Sequence, residues 1–156
     1  IVESGSGAGG SLLFFANIIG QQGHISSYEI REDFIETIQK NIEGTHFNNI
    51  TLNHQDVTEG FNEEDNSTDL VFLDLPKPAD VIEDAHRILK TGGFIAVYTP
   101  YVEQFQVVNK VLRRCGFKDI KIREGNVREL EIRKNGTRPC SRVAGHTGYI
   151  SFGRKL

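Results

Sequence analysis

The 156-residue sequence has no methionine and no tryptophan, two cysteines and four prolines. Two cysteines, Cys115 and Cys140, cannot build a disulfide framework, which excludes the small stapled secreted class and points to a reducing, cytoplasmic setting. Long apolar runs are also missing. The longest, Ser11–Ile19 and Leu70–Leu75, fall far short of the roughly 18 to 20 residues a membrane span needs, so no membrane role is expected. No internal repeat, low-complexity tract or metal-ligand spacing is present. What remains is 38% hydrophobic and 25% charged, the composition of one globular domain with a core of its own. With no Met, and with Ile1-Val2-Glu3 reading as the inside of a strand, the chain is expected to start within a fold.

Positive charge is scarce in most of the chain and concentrated at its end. Residues 1–109 hold 5 Lys and Arg against 17 Asp and Glu, whereas residues 110–156 hold 13 against 4. The net charge of −3 therefore conceals an acidic body and a basic end, a distribution suited to a polyanionic partner on one side. A solvated basic edge without a partner is the plainer alternative.

Strand and helix patterns alternate. Ile1–Ser4 reads as a strand, followed by a glycine loop and a helix over Ser11–Ile19 that stops at Gly20. His24–Glu29 is a second strand. Over residues 31–43 an amphipathic helix places Phe34, Ile35, Ile38 and Ile42 on one face. Asn49–His54 and the nearly unbroken apolar Asp69–Asp74 are further strands, the latter central and buried on both sides. A helix over Ala79–Leu89, a turn at Thr91-Gly92-Gly93, a strand Phe94–Thr99 and a helix over Val102–Cys115 come next. The basic end adds strand-like stretches at Asp119–Arg133 and Gly148–Gly153. This alternation predicts an open, doubly wound α/β sheet formed by the whole chain, residues 1–156.

In such sheets ligands bind beyond the carboxyl ends of the strands, beside the first one. Gly5, Gly7 and Gly9 or Gly10 stand there. Glu29, ending the second strand, can accept both hydroxyl hydrogens of a ribose. Read as Gly5-x-Gly7-x-x-Gly10, the loop fits a dinucleotide dehydrogenase. Read as Glu3-x-Gly5-x-Gly7-x-Gly9, it fits a site for S-adenosylmethionine (SAM). A pyrophosphate needs N–H groups and no nearby carboxylate, whereas SAM carries an ammonium and a sulfonium, so Glu3, pointing toward the loop, favours SAM. Asp56, after the third strand, is placed to bind an adenine amino group. The fourth strand ends in Asp74-Leu75-Pro76-Lys77-Pro78, an acid in a loop stiffened by two prolines and suited to holding a flat base. An acid capping the next helix, with proline in its first turn, is the structural alternative. Tyr98 adds an aromatic wall.

Several blocks together resemble the tRNA adenine-N1 methyltransferases. They are Glu3-Ser-Gly-Ser-Gly-Ala-Gly9, Tyr28-Glu-Ile-Arg-Glu-Asp-Phe34, Phe72-Leu-Asp-Leu-Pro-Lys-Pro78, Leu89-Lys-Thr-Gly-Gly-Phe94, Tyr98-Thr-Pro100, Glu103-Gln104 and Arg138-Pro through Gly145-His-Thr-Gly-Tyr149, and they span essentially the whole chain in order. The resemblance implies a class I SAM-dependent fold, Rossmann-like and mostly parallel with an antiparallel C-terminal strand. It implies N1-methylation of an adenosine in the T-loop of tRNA, typically position 58, with position 57 also modified in some archaeal members. A homotetramer is implied, and a small N-terminal β domain ahead of the catalytic one, which is expected to be absent from this chain. Carried over by motif, Glu3, Gly5, Ser6, Gly7 and Gly9 line the methionine end of SAM, Glu29 its ribose, and Asp56 with Val57 its adenine. Asp74 stands at both the methyl donor and the target base as the catalytic residue, with Pro76, Pro78, Tyr98, Gln104 and His146 around the base. Lys77 and Ala79 depart from the residues members often carry. A methyltransferase for another base or a small molecule, and a non-catalytic subunit of a tRNA methyltransferase complex, are the alternatives.

Overall fold

The computed structural model describes residues 1–142 and 145–156. The chain runs β1 (Val2–Ser4), α1 (Gly10–Ile19), β2 (Ile25–Glu29), α2 (Glu32–Glu43), β3 (Ile50–His54), β4 (Thr68–Leu73), α3 (Ile82–Ile88) and β5 (Leu89–Thr99). It continues through α4 (Val102–Arg114), β6 (Lys118–Glu124), β7 (Leu130–Arg133), β8 (Gly136–Pro139) and β9 (Tyr149–Arg154). Seven strands form one sheet in the order β3-β2-β1-β4-β5-β9-β6, and β7 with β8 forms a separate ribbon. Strands β1 to β5 pair in parallel, while β9 is antiparallel to both its neighbours. Strand order reverses between β1 and β4. Connections there leave in opposite directions, opening a crevice at the carboxyl ends of the two strands.

Two hydrophobic clusters flank the sheet. One joins Leu12 and Ala16 of α1 to Ile25 of β2 and Ile38 of α2. The other joins Val2, Val71, Leu73, Ile95 and Val97 of the sheet to Ile82, Ala85 and Ile88 of α3 and Val108 and Leu112 of α4. Each follows from periodicity, since alternate strand residues face opposite sides and helical residues three or four apart share a stripe. Burying a side chain of this size contributes roughly 1.5–3 kcal/mol relative to leaving it exposed. In α2, Glu32 and Asp33 in the first turn and Lys40 in the last complement the helix dipole.

The long connection from β3 to β4 is fastened by Arg87. Its guanidinium pairs with Asp84 and Asp65 at 2.6 and 2.8 Å and donates to the Glu63 and Phe61 carbonyls. No helix among the described residues is long and apolar enough to cross a membrane.

The structure differs from the sequence reading in three places. The expected helix over Ala79–Leu89 is a 3₁₀ turn, Pro78–Val81, followed by the shorter α3. The turn expected at Thr91-Gly92-Gly93 lies inside the long strand β5, where the register against β4 shifts. There the glycines produce a bulge instead of ending the strand. The stretch Asp119–Arg133 is not continuous. It breaks at residues 125–129, and its second part folds back on β8 through a two-residue loop, Lys134-Asn135, with Arg133 facing Gly136. The Asn-Gly dipeptide is the local signal for that hairpin.

Candidate functional site

The crevice at the switch point is built around Gly5. Its N–H donates to the Tyr28 carbonyl at 3.0 Å, and on the other side the Asp74 N–H donates to the Ser4 carbonyl at 2.9 Å. The end of β1 is thereby held between β2 and β4. Gly5 has a φ of +87°, and a Cβ there would lie 1.8 Å from the Asp74 carbonyl oxygen. Only glycine lets the loop turn off the sheet so close to the end of β4. The loop then reaches α1 through Gly9, whose N–H donates to the Ser6 carbonyl.

Four carboxylates stand around this loop in different circumstances. Glu3 is 1% exposed and accepts from Ser11 Oγ at 2.7 Å and Ser27 Oγ at 2.8 Å. Ser6 Oγ bonds in turn to Ser27 Oγ. Glu3 is directed toward the loop region, with its oxygens on serine hydroxyls of the loop, the start of α1 and β2, because alternation in β1 turns residue 3 toward α1 and Ser27 of β2. Burial pushes its carboxyl above the ordinary value against the serine hydrogen bonds, and nearby Asp74 raises it further.

Glu29 is the opposite case. Burial opposes its ionisation, but hydrogen bonds from Arg31 and from the Gly7 N–H hold it below the ordinary value. Its Oε1 accepts from the Ile30 and Arg31 N–H groups and Arg31 Nε, while Oε2 accepts from Gly7 N at 2.9 Å. Oε2 thus retains a lone pair for a ligand hydroxyl. Arg31, which the sequence reading did not single out, also lies 3.6 Å over the Phe34 ring; its signal was the Glu-x-Arg spacing. Asp56 caps a short 3₁₀ turn by accepting from Thr58 N and Oγ1, which hold its carboxyl below the ordinary value. Val57 beside it is buried in the main core.

Asp74 accepts no side-chain hydrogen bond and has no ion pair among the described residues. It is accessible to solvent, yet protein crowds it enough that desolvation pushes its carboxyl above the ordinary value.

The remaining site residues form the rim. Gln104 Nε2 donates to the Pro76 carbonyl at 3.2 Å, tying α4 to the proline loop, and its buried Oε1 has no partner among the described residues. Pro78 is buried at the start of the 3₁₀ turn, the helix-starting place of the structural alternative. Asp74 itself caps nothing there. Tyr98 donates its hydroxyl to the Thr147 carbonyl, and Gly148 crosses the ring so closely that a Cβ would meet it at 2.3 Å. His146 bridges Glu124 and the Pro100 carbonyl. Val143 and Ala144, in the resembling block before it, lie outside the described residues.

Glu3 and Asp74 have no cationic side chain paired to either among the described residues. A diphosphate brought here would be repelled, while a ligand bearing an ammonium and a sulfonium would be attracted. The glycine cradle, the lone pair on Glu29 and these carboxylates fit SAM.

Gly5→Ala is expected to cost more than the roughly 1–2 kcal/mol of a left-handed Cβ alone, because the added carbon also collides with the Asp74 carbonyl. Urea unfolding measures this, and a wild-type midpoint would show that the carbonyl can move aside. For Glu3 the folded-state pKa lies above the unfolded one, so its contribution to stability declines as pH rises through the folded value. Glu3→Gln is expected to raise the Tm at neutral pH, flatten that decline, and weaken SAM binding by about tenfold, the order of one charge interaction in the protein. Calorimetry on both counts is the check, and unchanged values argue against an uncompensated carboxylate.

Comparison with known proteins agrees with this geometry. The family model described as tRNA methyltransferase complex GCD14 subunit matches residues 1–137. A tRNA (adenine(57)-N(1)/adenine(58)-N(1))-methyltransferase of Methanocaldococcus jannaschii is 35% identical over 99% of this chain and 64% of its own length. Among solved structures, a SAM-dependent O-methyltransferase from Thermotoga maritima superposes with a TM-score of 0.93 at 30% identity, covering 99% of this chain and 58% of that one. A tRNA (m1A58) methyltransferase from Aquifex aeolicus gives 0.89 at 24% identity over 99% of this chain and 62% of its own, a likeness of fold. The chain spans less than two thirds of the length of these relatives. The matched model, covering residues 1–137 of the 156, shows that the chain belongs to the family of the tRNA methyltransferase complex GCD14 subunit.

Proposed function

We propose that the protein of which this chain forms the SAM-binding domain transfers a methyl group to N1 of an adenosine in the T-loop of tRNA, at position 58 and, as in the Methanocaldococcus relative's name, also 57. The observation that carries the reading is Asp74, a partly desolvated carboxylate whose side chain has no hydrogen-bond or ion-pair partner among the described residues, set against the glycine loop. SAM, when bound, supplies an electrophilic methyl group on a sulfonium. The adenine N1 has an in-plane lone pair and no proton to lose, so the protein must align the base and need not deprotonate it. In this reading Asp74 accepts a hydrogen bond from the exocyclic amino group and stabilises the positive charge that grows on the base. Pro76, Gln104 and Tyr98 form the wall against which the base lies, and the base is extruded from the folded tRNA to reach it.

The basic end supports a nucleic-acid substrate. Lys121, Arg123 and Arg154 lie with Phe94 and Phe152 on one sheet face, with Arg154 at 5.2 Å from the Phe94 ring and Arg123 at 5.9 Å from that of Phe152. Such a surface suits phosphates and bases. The β7–β8 ribbon exposes Leu130 and Ile132. A lone ribbon with an apolar face is in keeping with a partner copy, and the reading includes a homotetramer acting in the cytoplasm.

Incubating the full-length protein with labelled SAM and unmodified tRNA is expected to place the label in 1-methyladenosine of the T-loop. Label on a ribose oxygen or another base, as the likeness to an O-methyltransferase would suggest, overturns the assignment. Asp74→Asn is expected to lower kcat by about 10²–10³ with SAM affinity largely kept. Because the Asp74 pKa is raised, wild-type turnover should decline on acidification at a pH above the ordinary aspartate range, and that limb should vanish in the variant. Near wild-type turnover in Asp74→Asn counts against the role.

A further inference from the structure

His146 has no part in the chemistry above, yet both its ring nitrogens are engaged. Nδ1 lies 2.7 Å from Glu124 Oε1 and Nε2 lies 2.8 Å from the Pro100 carbonyl oxygen. A carboxylate and a backbone carbonyl accept hydrogen bonds and have none to give. Neutral imidazole carries one N–H and one bare lone pair, so it can satisfy one of these partners; the imidazolium satisfies both.

The bonds tie together three chain segments. Glu124 ends β6, Pro100 follows β5, and His146 leads into β9. Its neighbours bind to the same place, with Thr147 accepting from the Tyr98 hydroxyl and Gly148 lying across the Tyr98 ring. The groups facing His146 are Glu124 from β6, the Pro100 carbonyl from β5 and the Tyr149 ring from β9, 4.8 Å away. Helix α4 meets Tyr149 through the uncharged Phe105. The Pro100 carbonyl and then Glu124 push the imidazole above its ordinary 6.5.

We propose that His146 is a positioning residue which, as an imidazolium, clamps residues 145–148 between the ends of β5 and β6 and so holds the Tyr98 wall at the rim that receives the substrate base. This rests on the methyltransferase reading for its effect on activity, but the clamp itself does not. Deprotonation removes one of the two bonds and loosens the rim. Transfer to tRNA therefore fails on the alkaline side as well as the acid side, the two limbs belonging to His146 and Asp74.

The test follows the His146 ring by proton NMR titration of the full-length protein, beside the pH profile of methyl transfer. His146 is expected to titrate above 6.5, and kcat/KM for tRNA to fall at that same pH. In Glu124→Gln both should move down together, since the cation loses its anion. His146→Gln should lose the alkaline limb and show about tenfold lower kcat/KM for tRNA, the order of one charge-assisted hydrogen bond, with SAM affinity unchanged. An alkaline limb persisting unmoved in His146→Gln, or a His146 that titrates at or below its ordinary value, overturns the proposal. If no methyl reaches tRNA in the wild type, the methyltransferase reading fails, while the titration and its shift in Glu124→Gln still decide the clamp.

Discussion

The close approach of Gly5 to the Asp74 carbonyl is the contact on which the site depends. It exists because β1 and β4 are parallel neighbours whose connections leave in opposite directions, so the carboxyl ends of both strands crowd one point. The glycine resolves the crowding by having no side chain, and the same absence leaves room for a ligand against the backbone. One steric condition thus joins the fold to the binding crevice: the loop that would hold the cofactor cannot be displaced without moving the strand end that carries the acid.

Charge is distributed around that contact unevenly. Glu29 and Asp56 are satisfied by N–H groups and, for Glu29, by Arg31, and both stay readily ionised. Among the described residues no cation compensates Glu3 or Asp74, and both are harder to ionise than free carboxyls. At Glu3, which is buried, a charge left without a counter-charge lowers stability, a cost that a cationic ligand would relieve on binding. The serine hydroxyls around Glu3 are a partial substitute for a counter-charge, against which burial still holds its carboxyl above the ordinary value.

The C-terminal third serves a different purpose. Because β9 inserts antiparallel between β5 and β6, the long connection from β6 to β9 emerges at the same end of the sheet as Asp74. The basic ribbon and the His146 segment both belong to that connection. A single topological choice thereby places Arg128, Arg133, Lys134, Arg138 and Arg142, together with the polar contacts of His146, in a connection that leaves the sheet at the Asp74 end, while Arg154 and Lys155 lie at the opposite end, beside Phe94 and Gly93.

The fold class, the glycine loop and the order of acids at successive strand ends were legible from residues alone, since each rests on local periodicity or on a conformation only glycine adopts readily. The bulge at Gly92-Gly93 and the ribbon at Asn135-Gly136 were legible less well, because a glycine pair marks a turn and a bulge alike. Tertiary structure alone decided which acid is satisfied and which is left open. Ser27 reaches Glu3 across 24 residues and His146 reaches Pro100 across 46, distances over which sequence pattern carries no information on partners. Those pairings are set by the register of β1 against β2 and of β9 against β5, and register is fixed by burial of whole strand faces, a property of the assembled sheet.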